Sequence, residues 1–411
     1  MARTGRRSTA SVLVLVGVCA LLATWARPAV ARGHGSGAYV YWDQNEEQQL
    51  LTPSGHVGLL VAPYNPNGQM CVFPDRSGRF VTGYNPTLAS QHNPGSLKPI
   101  MNPPVGEAVW SQRGQFTGQT IFVPGPFANP GSRVGGDIPP DTAAKNAFNN
   151  NGTFTGCAFD HHANLLAVDL GTAQGALPAP DSGRVIEWFA PSYRDYCIVV
   201  GPTQGGVGPH HVDGTGGLRD PGTMATDAAG NVLLAESGAQ DAAGASGNGR
   251  IIKLLASSLP RSSKQCGATH VASPPVAFQT FIQGTPAHQG FPLGVARDPS
   301  CQCWAVSSVI GDPAIAWYDD HGQPMTNRPS VPGGPYNPFG LAFTPDGTLY
   351  FADIHVACRP NGCGPTSGGG QVLKVTFVNG APQAPTVVAN GLDFPTSVTV
   401  CDTAKTTCPT P

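Results

Sequence analysis

One three-strand pattern recurs along the chain and restricts its fold more than any other feature. Each copy has a short apolar strand that starts with Pro or Phe and a small residue, then a tight turn, a second strand, a longer loop and a third strand. The clearest copy covers 337–353 and continues at 370–375. Other copies cover 220–236 with 249–254, 154–169 with 182–189, 291–307 with 314–319 and, more faintly, 57–84 and 394–400.

Each repeat unit is a small antiparallel sheet that cannot bury both of its apolar faces alone. Stacking the units radially buries these faces, and closing the ring leaves no unit exposed. Gly156, Gly294 and Gly340 suit inner strands whose backbones approach closely. The pattern therefore predicts an all-β fold, a six-bladed β-propeller of four-stranded antiparallel blades. A degenerate seventh blade is an alternative, whereas a β-sandwich explains the strands but not their repeated order.

The two chain ends carry incomplete units, which predicts how the ring closes. Segment 394–400 is a first strand with little chain after it, and segment 38–43 resembles the third strand 314–319. We expect one blade to combine strands from both termini. Segment 85–153 is rich in Pro and Asn and holds one strand candidate at 119–123, so we expect an outer strand with a long inserted loop. The predicted organisation is a single propeller domain over 32–411.

The composition agrees with this fold. The 53 Gly and 41 Pro among 411 residues leave few stretches suited to helices. Hydrophobic residues make up 40% of the chain, which is enough for a core. Charged residues make up only 12%, about half the ~25% of an average soluble domain. A low charge is expected for blades whose two faces are both buried.

The N-terminus has the pattern of a signal peptide. Arginines precede the apolar run 12–23, and a small-x-small site ends at Ala31. This predicts cleavage after Ala31 and a secreted or periplasmic protein. The alternative of a membrane anchor is disfavoured because the run is too short to span a bilayer. Removing residues 1–31 takes away four of the 23 basic residues and none of the 25 acidic ones, leaving a net charge of −6. The mature chain therefore has no basic stripe, and we expect neither nucleic acid nor an anionic membrane as a partner. We also expect a monomer.

The cysteines predict disulfides. Ten of the 11 lie after the signal peptide, and an even number in an exported chain favours disulfide bonds over metal thiolates. Cys301 and Cys303 are too close in sequence for a comfortable mutual bond, so each is expected to pair elsewhere, with Cys266 as one candidate. Two local bridges are predicted, Cys358 with Cys363 and Cys401 with Cys408.

The repeat units resemble NHL-type repeats, and their layout over most of 38–402 is similar to the gluconolactonase and senescence-marker-protein family of six-bladed propellers. The resemblance implies a fold superfamily rather than one activity. Enzymes of this type hold one divalent cation at the axis through a Glu, an Asn and an Asp near the starts of inner strands. The matching positions here hold Val57, Thr155, Gly222, Leu293, Phe339 and Thr396, and none is a good ligand for a hard cation.

The long loops all leave one face of the predicted ring. Loops 170–183, 237–248 and 354–369 follow second strands, and 202–219 and 326–336 add to the same wall. This surface is called the long-loop face here. Loops on a rigid scaffold commonly carry binding residues, so the long-loop face is the expected binding site.

Carboxylates end the second strands on the long-loop face and supply candidate catalytic residues. Glu236 and Asp353 hold such positions, and His355 follows Asp353 by two residues. These side chains could bind a metal, or act as a general base and its orienting partner. Alternatively, the acids accept backbone N–H bonds from the next loop.

Four further residues are candidate ligand-binding residues on the same face: His210, His211, Asp169 and Phe339. Two functions remain open on this basis. The first is a secreted scaffold that binds an extracellular small molecule, glycan or protein. The second is a metal-assisted lactone or ester hydrolase of gluconolactonase type, with one divalent cation in a non-standard site. The sequence does not decide whether the protein is an enzyme.

Overall fold

The computed structural model describes the chain in separate segments. These are 37–44, 47–61, 69–76, 78, 80–83, 107–110, 121–122, 154–169, 173–174, 177–178, 184–191, 193, 195–201, 218, 221–237, 249–267, 271–283, 292–309, 314–359 and 362–410. The predicted signal peptide lies outside them. The helices within them are two 3-10 turns, Ala256–Ser258 and Ser263–Gln265. Across these segments, no helix has the length and hydrophobicity needed to cross a bilayer.

Within the described segments, the strands form five four-stranded antiparallel sheets and one three-stranded sheet. From the innermost strand outward, sheet 1 contains Val398–Asp402, Ala38–Gln44, Glu47–Leu51 and Val57–Val61, and sheet 2 contains Cys71–Val72, Phe80–Gly83, Glu107–Trp110 and Ile121–Phe122. Sheet 3 contains Phe154–Phe159, Leu165–Asp169, Arg184–Trp188 and Tyr196–Val200, and sheet 4 contains Pro221–Thr226, Val232–Glu236, Arg250–Leu254 and Phe278–Gln283. Sheet 5 contains Pro292–Asp298, Cys303–Ser308 and Ile315–Tyr318, and sheet 6 contains Pro338–Phe343, Leu349–Asp353, Gly370–Val375 and Thr386–Leu392.

Three two-stranded ribbons accompany the sheets in the described part of the chain. Two of them lie within loops of the long-loop face, and the third follows the third strand of sheet 6. They pair Ala173–Gln174 with Leu177–Pro178, Val356–Arg359 with Gly362–Pro365, and Phe377–Val378 with Ala381–Pro382.

Apolar clusters fill the spaces between neighbouring sheets. Trp188 packs between sheets 2 and 3, Trp304 between sheets 4 and 5, Trp317 between sheets 5 and 6, and Trp42 between sheets 6 and 1. All four are fully buried. Side chains of this size contribute much of the hydrophobic stabilisation. The predicted all-β propeller, with blades buried on both faces, is confirmed, and sheet 5 has three described strands instead of four.

Sheet 1 closes the ring with strands from both termini, as predicted. Val398–Asp402 pairs antiparallel with Ala38–Gln44. Two finer assignments were wrong: segment 38–43 belongs to a second strand, and Val57–Val61 is the outermost strand of sheet 1 instead of an inner strand. Short apolar strands look alike in sequence, and only pairing with the distant C-terminus distinguishes them. The inner strand of sheet 2 is Cys71–Val72.

The predicted glycines lie where inner strands meet. A Cβ atom on Gly156 would lie 2.6 Å from the carbonyl oxygen of Gly222 in the next sheet. A Cβ atom on Gly340 would lie 2.6 Å from Cα of Ser397 in sheet 1. Both contacts are with backbone atoms, which cannot rotate away as a side chain can. These positions therefore require a residue without a side chain.

The disulfides agree with the sequence in part. Cys401 bonds to Cys408, as predicted. Cys301 and Cys303 bond to each other, against expectation, and Cys266 pairs elsewhere. The turn that holds this pair includes Gln302 at a φ of 55°. The remaining described bonds are Cys71–Cys157, which joins sheets 2 and 3, and Cys197–Cys266, which joins sheet 3 to the 3-10 region of sheet 4. Cys358 and Cys363 are opposed in a hairpin, but their side chains lie outside the described residues.

Candidate functional site

The strand-end acids occupy one structural position repeated around the ring. The pairing register opposes Asp169 to Phe154, Glu236 to Pro221, Ser308 to Pro292 and Asp353 to Pro338. Each of these residues therefore ends a second strand beside the start of its inner strand. In sheet 1 the second strand ends at Gln44, and Asp43 lies one residue before that end. The sequence analysis missed it because segment 38–43 was assigned to a third strand.

Asp43 holds the C-terminal inner strand in place. The carboxylate is fully buried. Oδ1 accepts hydrogen bonds from the backbone N–H groups of Thr396 at 3.1 Å and Ser397 at 2.6 Å. The Thr396 hydroxyl donates to Oδ2 at 2.6 Å, and the Ser397 hydroxyl donates to Oδ1 at 2.8 Å. Four donors satisfy this buried charge, so its role is to close the ring.

Asp353 and His355 are neighbours but do not form a side-chain pair. Asp353 is 2% exposed, and its Oδ1 accepts the backbone N–H groups of Asn337 and His355, both at 3.0 Å. The imidazole Nδ1 of His355 lies instead 2.7 Å from the hydroxyl oxygen of Thr366. The carboxylate therefore orders the loop backbone, while the exposed imidazole stays on the long-loop face.

Glu236 is paired with a cation. Arg250 lies opposite it on the third strand of sheet 4, and Nε of Arg250 donates to Oε2 of Glu236 at 2.5 Å. Both side chains are almost completely buried. The pair neutralises the charge of Glu236 inside the sheet.

Three of the proposed site residues receive little structural description. Asp169 ends its strand as expected, but its side chain lies outside the described residues. His210 and His211 lie outside them entirely. Their roles remain predictions.

Apolar side chains fill the inner-strand starts of sheets 5 and 6. Leu293 and Phe339 are 5% and 8% exposed and pack with Val309 and Ile354. These four residues are called the apolar floor below. The ligand-binding prediction for Phe339 thus concerns a side chain that is mostly covered.

Gln69 holds the position at the start of the inner strand of sheet 2. The sequence analysis had assigned this axial position to Val57. Cys71 pairs with Val81 as Cys157 pairs with Ala167, which aligns Gln69 with Thr155. Its Oε1 accepts the backbone N–H groups of Cys157 at 3.0 Å and Met224 at 3.2 Å, and its Nε2 donates to the Met224 carbonyl at 3.2 Å. This single amide joins the inner strands of sheets 2, 3 and 4.

The described residues on the long-loop face near the axis do not provide the set of oxygen ligands that a divalent cation requires. Two acids accept backbone N–H bonds, one is paired with Arg250, and the axial positions of sheets 5 and 6 are apolar. In the described part of the chain, three side chains of metal-ligating type approach within 4.8 Å only at Asp298, Cys301 and Cys303, and the two cysteines are joined in a disulfide. That group lies in a strand turn on the opposite face.

A polar patch borders the apolar floor and is called the rim patch. Oδ1 of Asp393 accepts a hydrogen bond from the Ser367 hydroxyl at 2.8 Å. Ser367 directly follows Thr366, whose hydroxyl is bonded to His355. Phe394 comes next in the chain and packs, partly buried, against the apolar floor. The rim patch comprises His355, Thr366, Ser367, Asp393 and Phe394.

Two residues of the rim patch have a left-handed backbone. The φ angles are 49° at His355 and 53° at Phe394. A positive φ is uncommon for a non-glycine residue, and for one as bulky as Phe it is an outlier. Such strain clusters at ligand sites, where surrounding contacts hold it. The rim patch is therefore the best-defined candidate site on the described long-loop face.

Comparisons with known proteins find distant similarity to solved structures. No protein-family model matches the chain, and no curated protein matches its sequence. A calcium-binding protein, regucalcin from Agrobacterium tumefaciens, is 12% identical, with 77% of this chain and 78% of that chain covered and a TM-score of 0.44. A gluconolactonase from Xanthomonas campestris is 12% identical, with 89% and 90% covered and a TM-score of 0.43. A protein of unknown function from Bacteroides caccae is 9% identical, with 89% and 99% covered and a TM-score of 0.45. Similarities at this level do not indicate an activity.

Proposed function

We propose that this protein is a secreted propeller that binds a neutral glycan on its long-loop face. The observation that carries the proposal is the rim patch, where an aromatic ring and hydrogen-bonding side chains lie beside the apolar floor. The signal-peptide pattern and the disulfides support export.

The chemistry of the rim patch suits sugars. The apolar C–H face of a sugar ring packs on an aromatic side chain, while its hydroxyl groups need donors and acceptors at fixed positions. Phe394 supplies the ring, and the imidazole of His355 and the hydroxyls of Thr366 and Ser367 supply polar atoms. Hydrogen bonds within the patch hold these groups in place. The low charge of the chain favours a neutral ligand over a polyion.

The metal-assisted hydrolase is the weaker candidate. Hydrolysis of this kind needs a cation with an open coordination position. Asp43, Asp353 and Glu236 use their oxygens on backbone groups, hydroxyls and Arg250. The three carboxylates could bind a cation only after these hydrogen bonds and the ion pair with Arg250 were broken.

Binding is tested with neutral hexasaccharides of glucose and of N-acetylglucosamine, by saturation-transfer NMR and titration calorimetry. Phe394→Gly removes the ring and relieves the positive φ, so this variant is expected to fold and to bind at least tenfold more weakly. The matched control is His321→Ala, at a side chain that is 87% exposed in a turn on the opposite face, and it should bind like the native protein. Equal affinities of Phe394→Gly and native protein would overturn the assignment of the rim patch, and a lack of binding to every hexasaccharide would overturn the glycan proposal.

The hydrolase is tested separately on the same preparation. We expect less than a tenth of an equivalent of divalent metal in the purified protein, and no hydrolysis of a six-carbon aldonolactone with added calcium, manganese or zinc. If the protein contains one equivalent of metal and hydrolyses the lactone, the binding proposal is wrong and the protein is a metal-assisted hydrolase.

A further inference from the structure

A disulfide closes over a single residue in the turn between the first two strands of sheet 5. Asp298 and Cys303 are paired at the ends of these strands, and Cys301 bonds to Cys303 across Gln302. The turn lies on the face opposite the long loops. The other described disulfides join residues 86, 69 and 7 positions apart. A bond that closes so short a loop constrains the unfolded chain least of the four, so it adds little to stability.

The two sulfurs differ in accessibility. Cys303 is 2% exposed, whereas Cys301 is only partly buried. Thiol–disulfide exchange begins with attack on a sulfur that a thiolate can reach. Cys301 therefore offers the point of attack, and Cys303 is the sheltered leaving group.

Charged groups surround this turn. Arg328 is bonded to Asp298, and its guanidinium donates to the Ser300 hydroxyl at 3.0 Å. The side chain is 8% exposed and lies over the ring of Trp317, with its Cζ atom 5.5 Å from the ring centroid. A guanidinium stays charged at all relevant pH values, so Arg328 and Asp298 form an ion pair without net charge at this turn. The carboxylate of Asp298 lies close to both sulfurs, and Arg328 balances its charge, so it does not oppose formation of a thiolate there.

We propose that Cys301 and Cys303 form a redox-active couple that exchanges with external dithiols. One thiolate of the dithiol attacks Sγ of Cys301, the Cys301–Cys303 bond breaks, and Cys303 leaves as a thiolate that takes up a proton. The second thiol of the dithiol then attacks the mixed disulfide and releases Cys301. The dithiol is oxidised to a disulfide, and two electrons reduce the protein pair. The reverse sequence oxidises the pair.

The first test uses the native protein in buffers with graded ratios of reduced to oxidised dithiothreitol. Rapid alkylation and peptide mass spectrometry report each disulfide separately. We expect Cys301–Cys303 to be half reduced at a ratio at least tenfold lower than Cys401–Cys408, which serves as an internal control. If Cys301–Cys303 is reduced only at the same or a higher ratio of reduced to oxidised dithiothreitol than Cys401–Cys408, the proposal is wrong. It is also wrong if Cys301 and Cys303 remain free thiols even in the most oxidising buffers.

The second test separates the two sulfurs with single variants. Cys303→Ser leaves Cys301 alone, and oxidised glutathione should form a mixed disulfide with it. Cys301→Ser leaves only the buried Cys303, which should react at least tenfold more slowly. Equal rates in two folded variants would show that neither sulfur is the preferred point of attack. If either variant fails to fold, the titration of the native protein still decides the proposal.

Discussion

At the scale of single residues, two equivalent turns show how local surroundings set the charge of an acid. Asp160 and Asp227 each begin a turn after an inner strand, and Oδ1 of each accepts the backbone N–H group of the Asn four residues later. The first turn faces the fully buried Glu187, whose Oε1 accepts the Asn164 side-chain amide at 2.9 Å. The second faces Lys253, whose Nζ lies 3.2 Å from Asp227.

These surroundings shift the pKa values of Glu187 and Asp227 in opposite directions. Burial raises the pKa of Glu187 well above its ordinary value, and the negative charge of Asp160 raises it further. Burial also acts to raise the pKa of Asp227, but hydrogen bonds from Asn231 and the charge of Lys253 outweigh it, so that pKa is lowered. Glu187 is therefore protonated at pH values where Asp227 is ionised.

The first prediction concerns Glu187→Gln. A group whose pKa is raised by folding stabilises the protein fully below its unfolded pKa of about 4.3, and that contribution is lost as pH rises through the folded pKa. The native protein should therefore lose stability relative to Glu187→Gln as the pH rises above about 4. Urea unfolding at several pH values measures this difference.

Asp227→Asn is the matched control for that pH dependence. A lowered pKa stabilises the protein above the unfolded pKa and loses this effect as pH falls through the folded pKa. This variant should be less stable than the native protein at pH 7, by about 1 kcal/mol, with the difference vanishing in acid. The same pH slope for both variants would contradict the assigned environments.

At the scale of strands, close approach of neighbouring backbones is the constraint on the inner strands. In Gly340→Ala, the new Cβ would meet Cα of Ser397 at 2.6 Å and the backbone nitrogen of Val398 at 2.9 Å. Since neither atom can move without shifting a strand, we expect a loss of about 2–3 kcal/mol of unfolding free energy.

The control for this variant is Gly58→Ala in the outermost strand of sheet 1, where the nearest atom to a new Cβ is in the His56 ring at 3.7 Å. Alanine there should be neutral or stabilise by up to about 1 kcal/mol, because it restricts the unfolded chain. Denaturant titration of both variants makes the comparison. If both variants change the free energy of unfolding equally, close contact between inner strands is not the reason for glycine at position 340.

The strands themselves were largely predictable because their signals are local. Alternation of apolar segments with turns located the inner and second strands of sheets 3 to 6. The sequence also indicated Cys401–Cys408 and the glycines of the inner strands. It failed at 38–43 and 57–61, since an inner and an outer strand of similar length and hydrophobicity differ only in the partners they pair with.

At the scale of the whole molecule, closure of the ring depends on one buried carboxylate. Asp43 accepts four hydrogen bonds from Thr396 and Ser397, more than 350 residues away in sequence. In Asp43→Asn, an amide NH₂ replaces one acceptor and faces these donors. We expect a loss of about 2–3 kcal/mol of unfolding free energy, measured by urea unfolding at neutral pH.

Asp402→Asn is the control because Asp402 ends the inner strand of the same sheet. Its carboxylate accepts the Ala404 N–H group at 3.0 Å and lies 3.7 Å from Lys405 on the surface. This change should cost less than about 1 kcal/mol. If both variants lose the same stability, Asp43 has no special part in closing the ring.

The amino-acid sequence alone determined the repeated unit, the all-β ring, the burial of both blade faces and the need for small residues on the inner strands. These properties follow from local patterning, because each unit repeats the same spacing of apolar strands and turns. Only the tertiary structure decided the partners of Asp43, the axial position of Gln69, the Cys197–Cys266 bond and the rim patch. Each of these joins segments far apart in the chain, or depends on which of several similar strands lies next to another. Contacts of that kind leave no periodic signal in a single sequence.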